Sequence, residues 1–301
     1  MGLPTIIPQS TDPRSILLGS LFGAVCGIGF VYILHLANTR GSTSTRNGRN
    51  LRVPESLGPP LKAADHINDG KHHLLLAATG SVATIKIPNI VQALSKHKNL
   101  SIRILLSESA SEFLQAQSEE QPSLKQVASL PNVDGVYLDH DEWRKPWVRG
   151  DNILHIELRR WADLMLIAPL SANSLAKIAQ GLSDNLITSV VRAWDATGIL
   201  DPARPGVPLP YPGTEGARGG KKGIIVAPAM NTAMWHHPLT AEHLKRLEID
   251  WTVSNGGWFE VLRPVEKVLA CGDTGSGAMH KWEEIVRVVE QRLFLLNEKV
   301  S

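Results

Sequence analysis

The sequence predicts an α/β fold in which a parallel sheet carries helices on both faces. The first sign is a set of short apolar runs: His73 to Ala78 (HLLLAA), Ile102 to Leu106, Leu164 to Ala168 before Pro169, and Ile224 to Ala227. Strands with one wet face alternate in polarity, whereas runs that stay apolar fit strands covered on both sides. The second sign is that these runs end in turns of small and polar residues, which lead into segments of helical periodicity. The third is size: 301 residues, 43% of them hydrophobic, can bury the core of one compact domain with extensions.

Composition also narrows the function. A net charge of +2 advertises no polyanion-binding surface, so nucleic acid is not an expected partner. The two cysteines are Cys26, in an apolar stretch, and Cys271, among glycines. That placement does not read as a disulfide framework, and a reducing compartment is expected.

Taken in order, residues 1–70 read as an extension. Ile16 to Leu34 carries no charge, and at ~1.5 Å per residue it nearly crosses a ~30 Å hydrocarbon core. Arg14 precedes the run; Arg40, Arg46, Arg49 and Arg52 follow it, which would leave the bulk of the chain on the cytoplasmic side. Gly19, Gly23 and Gly27 recur at four-residue spacing, a face on which helices can approach. A membrane tether through 16–36 is one reading; a weak apolar segment diluted by glycine, or an extension of little functional weight, is another. A signal peptide fits poorly, because no A-x-A site follows. From Ala37 to Gly70 the chain is rich in Asn, Arg, Ser, Gly and Pro and reads as a disordered linker, so the folded domain is expected over 71–301.

Within that domain, His73–Ala78 leads through Thr79-Gly80-Ser81-Val82 into a helix carrying Ile85, Ile87, Ile90, Val91 and Leu94. Gly80 permits close backbone approach and Ser81 can offer a hydroxyl to a phosphate, but there is no G-x-G-x-x-G. Ile102–Leu106 ends at Ser107-Glu108-Ser109. Gln115 to Pro131 reads as polar helix, and Val133 to Leu138 as a further strand. His140-Asp141-Glu142-Trp143 lacks a second ligand group at useful spacing, so a solvated loop is expected and no metal site. His155 opens a helix that carries Arg159 one turn later on the same face; a histidine beside cations stays neutral and can accept a proton. Leu164–Ala168 then meets Ser171-Ala172-Asn173-Ser174, which opens the next helix. Strand ends of this kind are where open α/β sheets bind ligands. Thr197 to Lys222 shows no periodicity and is expected to be a surface insertion. Ile224–Ala227 precedes Pro228-Ala229-Met230-Asn231-Thr232-Ala233-Met234-Trp235, where Asn231 offers both a donor and an acceptor. Trp258 to Leu269 reads as a hairpin or flap leading to Cys271, whose flanking glycines suit a mobile lid. Trp282 to Leu296 closes the chain as an amphipathic helix.

The stretches HIELRRWAD, APLSANS and GLSDNLITSVVRAWD, together with P-x-M-N-x-x-M-W at Pro228–Trp235 and ACGD at Ala270–Asp273, resemble the flavin-containing cysteine decarboxylases. The resemblance runs from about Lys71 to about Trp282, with one long insertion at 197–222. It implies a single Rossmann-like (flavodoxin-like) domain that binds FMN. Gly80, Ser81, Val82, Ser107, Ser109, Ser171, Ala172, Asn173, Ser174 and Ala229 would then face the flavin. His155 and Cys271 would be catalytic, Cys271 as proton donor, and Asn231, Arg160 and Met234 would meet the substrate. The branch most resembled decarboxylates 4'-phosphopantothenoylcysteine to 4'-phosphopantetheine, on the way to coenzyme A, and its members form homotrimers. Two other outcomes stay open: a non-catalytic regulatory flavoprotein of the phosphatase-inhibitor type, and a peptidyl-cysteine decarboxylase.

Overall fold

The computed structural model describes residues 57–201, 203–211, 220–268 and 274–297. Six parallel strands form one sheet: β1 (His72–Ala78), β2 (Leu100–Leu106), β3 (Val133–Leu138), β4 (Leu164–Leu170), β5 (Gly223–Pro228) and β6 (Phe259–Val261). Their spatial order is β3-β2-β1-β4-β5-β6, the doubly wound Rossmann order. β1, β2, β4 and β5 are buried at every position, as their continuous apolar runs require.

Alternate residues of β1 face opposite layers. Leu74, Leu76 and Ala78 pack with Ile90, Val91 and Leu94 of α1 (Ile87–Leu94) and with Ile285 and Val289 of α9 (Trp282–Arg292). Leu75 and Ala77 pack with Leu158 and Trp161 of α4 (Leu154–Trp161), Leu175 of α5 (Ala172–Gln180) and Ile187 and Val190 of α6 (Leu186–Arg192). Each large aliphatic side chain so buried contributes roughly 1.5–3 kcal/mol. The remaining α-helices among the described residues are α2 (Glu108–Ser111), α3 (Leu124–Ala128), α7 (Thr232–Trp235) and α8 (Pro238–Lys245). Side-chain caps set several starts: Ser171 accepts from Ser174 N, Asn185 from Thr188 N and Asn231 from Met234 N. Gly181, at φ +76°, ends α5 in the left-handed conformation.

Four expectations change. The domain begins earlier than residue 71: Leu57 bridges Val136, Leu61 is buried, and Ala63 N donates to Glu157 Oε2 at 2.7 Å. Single apolar residues among Pro and Gly leave no period to read. Gln115–Pro131 is mostly turn, with only α3 helical. Trp258–Leu269 is not itself the hairpin; Phe259–Val261 joins the main sheet beside β5, and β7 (Val265–Val268) pairs antiparallel with β8 (Thr274–Ala278).

The insertion, expected on the surface, contains buried Arg204, Tyr211, Lys221 and Lys222. Arg204 enters under the amino ends of β1 and β4. Its Nε lies 3.1 Å and its Nη2 2.6 Å from the Asp163 carboxylate, and Nη1 reaches Asp69 Oδ1 and His66 O at 3.1 and 3.0 Å. Lys222 Nζ donates to the carbonyls of Arg159 and Arg160, capping α4; burial lowers its pKa, opposed by the charges of Asp201 and Asp163. Burial pushes the Asp195 carboxyl up, but hydrogen bonds from Asp201, Thr197 and Leu200 outweigh it and hold it below the ordinary range. The hydrophobic segment 16–36 lies outside the described residues.

Candidate active site

In a doubly wound sheet the ligand crevice opens where neighbouring strands send the chain in opposite directions. Here that point lies between β1 and β4. The turns Thr79–Val82 and Ser171–Ser174 leave from these two strand ends, and Thr79 joins them. Its amide and hydroxyl donate to Pro169 O at 3.0 and 3.1 Å, and the same hydroxyl accepts from Ser171 N at 2.7 Å. On the other side, Gly80 lies so close to the loop after β2 that a Cβ there would sit 2.4 Å from Ser109 Oγ. Ser107 Oγ is 3.2 Å from Ser109 Oγ and also caps α2 at Ala110 N.

Several free backbone groups at this edge are donors. Ser81 makes no side-chain cap bond, and the amides of Gly80, Ser81, Ala172 and Asn173 have no hydrogen-bond partner among the described residues. Such a set fits a phosphate. Val82 and Asn173 are exposed, whereas the Ser171 and Ser174 hydroxyls bond each other at 3.3 Å. Glu108, the intervening acid, is exposed, so it need not oppose an anion held by its neighbours.

β5 ends beside β4, and Ala229 N donates to Leu170 O at 2.9 Å. Asn231 comes two residues later, exposed, with Oδ1 already accepting from Met234 N at 2.8 Å. The Asn231 oxygen therefore already serves the cap, and its Nδ2 has no hydrogen-bond partner among the described residues and is left to meet a ligand. Met234 is half exposed at the same turn. The β7–β8 hairpin docks on this segment: Met230 N donates to Gly277 O at 2.9 Å, and a Cβ on Gly277 would sit 2.2 Å from Met230 O. Cys271, between the two hairpin strands in sequence, lies outside the described residues.

His155 stands in the first turn of α4, a helix that runs back along the sheet from its carboxyl edge. Its Nδ1 is 2.8 Å from Glu142 Oε1. The expected cationic neighbour is absent from this contact, because Arg159 is turned to Asp201 at 3.1 Å. Nor is the His140–Trp143 loop solvated throughout: the side chains of Asp141 and Glu142 are each only 4% exposed. Arg160 lies further along α4, half exposed, with a 3.3 Å bond to Glu157. The monomer does not bring Arg160 to His155.

The strand order defines a Rossmann-like domain, and the donor set at its switch point suits an anion. The chain belongs to the Flavoprotein family, whose model matches residues 62–294. It is 43% identical over 210 residues to a probable phosphopantothenoylcysteine decarboxylase of Arabidopsis thaliana, covering 69% of this chain and 82% of that one. Two solved structures share the fold. One is a cysteine-to-serine mutant of PPC decarboxylase complexed with pantothenoylaminoethenethiol, with TM-score 0.56, 39% identity, and coverage of 75% of this chain and 100% of that one. The other is the FMN-binding protein AtHal3, with TM-score 0.54, 39% identity, and coverage of 76% and 99%. The chain spans only about a third, 32% and 34%, of the length of longer relatives from Schizosaccharomyces pombe and Saccharomyces cerevisiae.

Proposed function

We propose that this protein is an FMN-dependent carboxy-lyase that converts 4'-phosphopantothenoylcysteine to 4'-phosphopantetheine in coenzyme A biosynthesis. The observation that carries the reading is the arrangement at the carboxyl edge of the sheet. An anion cradle at the switch point stands near Asn231, whose Nδ2 is unbonded among the described residues, and His155 opens α4 at the same edge. The relatives described above support the substrate class, and the residues present fit the cofactor. The free amides of Gly80, Ser81, Ala172 and Asn173 and the Ser81 hydroxyl would hold the flavin phosphate, with Val82, Ser107, Ser109, Ser171, Ser174 and Ala229 around it.

FMN, when bound, would supply reversible two-electron redox chemistry toward the substrate's Cα–Cβ–S unit. His155 accepts the proton that the oxidation releases. Asn231 Nδ2 donates to the substrate carboxylate and orients it, and Met234 walls the pocket. Cys271 donates a proton to the enethiolate that remains once carbon dioxide departs. Arg160, away from His155 in its own monomer, would meet a substrate carboxylate held by a neighbouring subunit, a reading that goes with a homotrimer with sites between neighbours. Exposed Trp143, Trp147 and Val148 also favour such contacts. A cytoplasmic catalytic domain completes the proposal; among the described residues, which do not include 16–36, no helix is long and apolar enough to cross a membrane.

The test is carbon dioxide release by the full chain with FMN and 4'-phosphopantothenoylcysteine. Release that disappears in His155→Asn and Cys271→Ser, while both proteins stay yellow, is the expected result. A yellow wild type that releases nothing refutes the reaction and moves the peptide-substrate and regulatory readings forward.

A further inference from the structure

We infer that Glu142 is a positioning residue for His155, fixing which ring nitrogen carries the proton. The inference rests on the proposed role of His155. A carboxylate only accepts hydrogen bonds, so the 2.8 Å contact between Glu142 Oε1 and Nδ1 places the ring proton on Nδ1. In the neutral ring Nε2 is then the lone-pair nitrogen, and it has no hydrogen-bond partner among the described residues. That is the tautomer a general base needs, held by a third group as in other base–orienter pairs.

A purely structural ion pair explains the site less well. Glu142 is almost fully buried, yet its Oε2 has no hydrogen-bond partner among the described residues. A buried carboxylate oxygen left in that state opposes stability. The loop instead spends its other acids on holding Glu142 in place. Asp139 accepts from Glu108 N at 3.2 Å and Leu186 N at 3.1 Å, fastening the loop to α2 and α6. Asp141 accepts from Leu138 N at 2.7 Å and from Arg144 Nε at 2.5 Å. Two aspartates therefore build the turn, and the glutamate between it and α4 faces the histidine.

The experiment reads the tautomer directly. The full chain is labelled with 15N-histidine and loaded with FMN, and long-range proton–nitrogen correlations are recorded; the His155 signal is identified by its loss in His155→Asn. The expected result is a protonated Nδ1 and an unprotonated Nε2. A protonated Nε2 in the wild type overturns the inference, whatever the variants do. In Glu142→Gln the fixed tautomer should be lost and kcat should fall by at least about tenfold, with KM and bound flavin unchanged. A Glu142→Gln protein with kcat within about twofold of wild type and the same tautomer would also overturn it. If Glu142→Gln does not fold, the wild-type spectrum decides. If the wild type decarboxylates nothing, the proposed reaction falls, while the spectrum still settles the pairing.

Discussion

Replacing Gly80 by alanine tests whether the loops after β1 and β2 form one cradle. Gly80 is not in the left-handed region, so alanine is acceptable to its backbone and only its neighbours object. The added Cβ would lie 2.4 Å from Ser109 Oγ and 2.9 Å from Ser109 Cβ. Rotating the serine removes the first clash but not the second, because Cβ is fixed to the backbone. To reach an ordinary ~3.5 Å carbon contact the loops must separate by about 0.6 Å. Overpacking of this kind costs about 1–3 kcal/mol, and in a domain of this size each kcal/mol lowers Tm by about 2–4 °C. Displaced donors should also weaken FMN, by about 5- to 150-fold if the full strain falls on binding. Thermal melting and flavin titration of the full chain measure both. Adding Ser109→Gly deletes both clashing atoms and should restore Tm, but only part of the affinity, since the serine hydroxyl is gone. A Gly80→Ala protein that melts and binds FMN like wild type refutes the contact, and failure of Ser109→Gly to restore Tm refutes its source.

Two further substitutions separate roles that share a residue. Asn231→Asp keeps an oxygen to cap α7 but loses the outward donor. It should leave Tm unchanged while kcat/KM drops about 10- to 150-fold, the worth of a hydrogen bond to a charged group; an unchanged kcat/KM would remove Asn231 from substrate contact. Arg204→Ala strands the Asp163 carboxylate, whose side chain is 1% exposed, and should cost about 3–5 kcal/mol in urea denaturation. FMN affinity of the folded protein should not change, because Asp163 and the cofactor turn lie at opposite ends of β4. A loss below about 1 kcal/mol would mean that the insertion is not anchored there.

The strands were legible wherever apolar residues run without interruption, since burial on both faces leaves that mark. β6 carried no such mark: it has three residues and sits next to turn-forming glycines. The placement of Gly80, Ser81 and Asn231 in turns at strand ends was readable because strand–turn–helix chemistry is local. Glu142 was not, since its bond to His155 spans thirteen residues across a loop and follows no helical or strand period. Arg204 was hidden for a related reason, its partners Asp69 and Asp163 lying 135 and 41 residues away in a segment whose Pro and Gly content reads as loop.

The Thr79 hydroxyl has a consequence for what this position will tolerate. That oxygen, just past the end of β1, gives a hydrogen bond to Pro169 O and takes one from Ser171 N, both at the end of β4. Valine would fill the same space and leave Ser171 N, at the start of α5, without its acceptor. Serine is smaller but keeps the oxygen. A library of substitutions here should therefore sort by chemistry and not by shape, with serine surviving where the better-fitting valine fails, although Thr79 is fully buried and need touch no ligand itself.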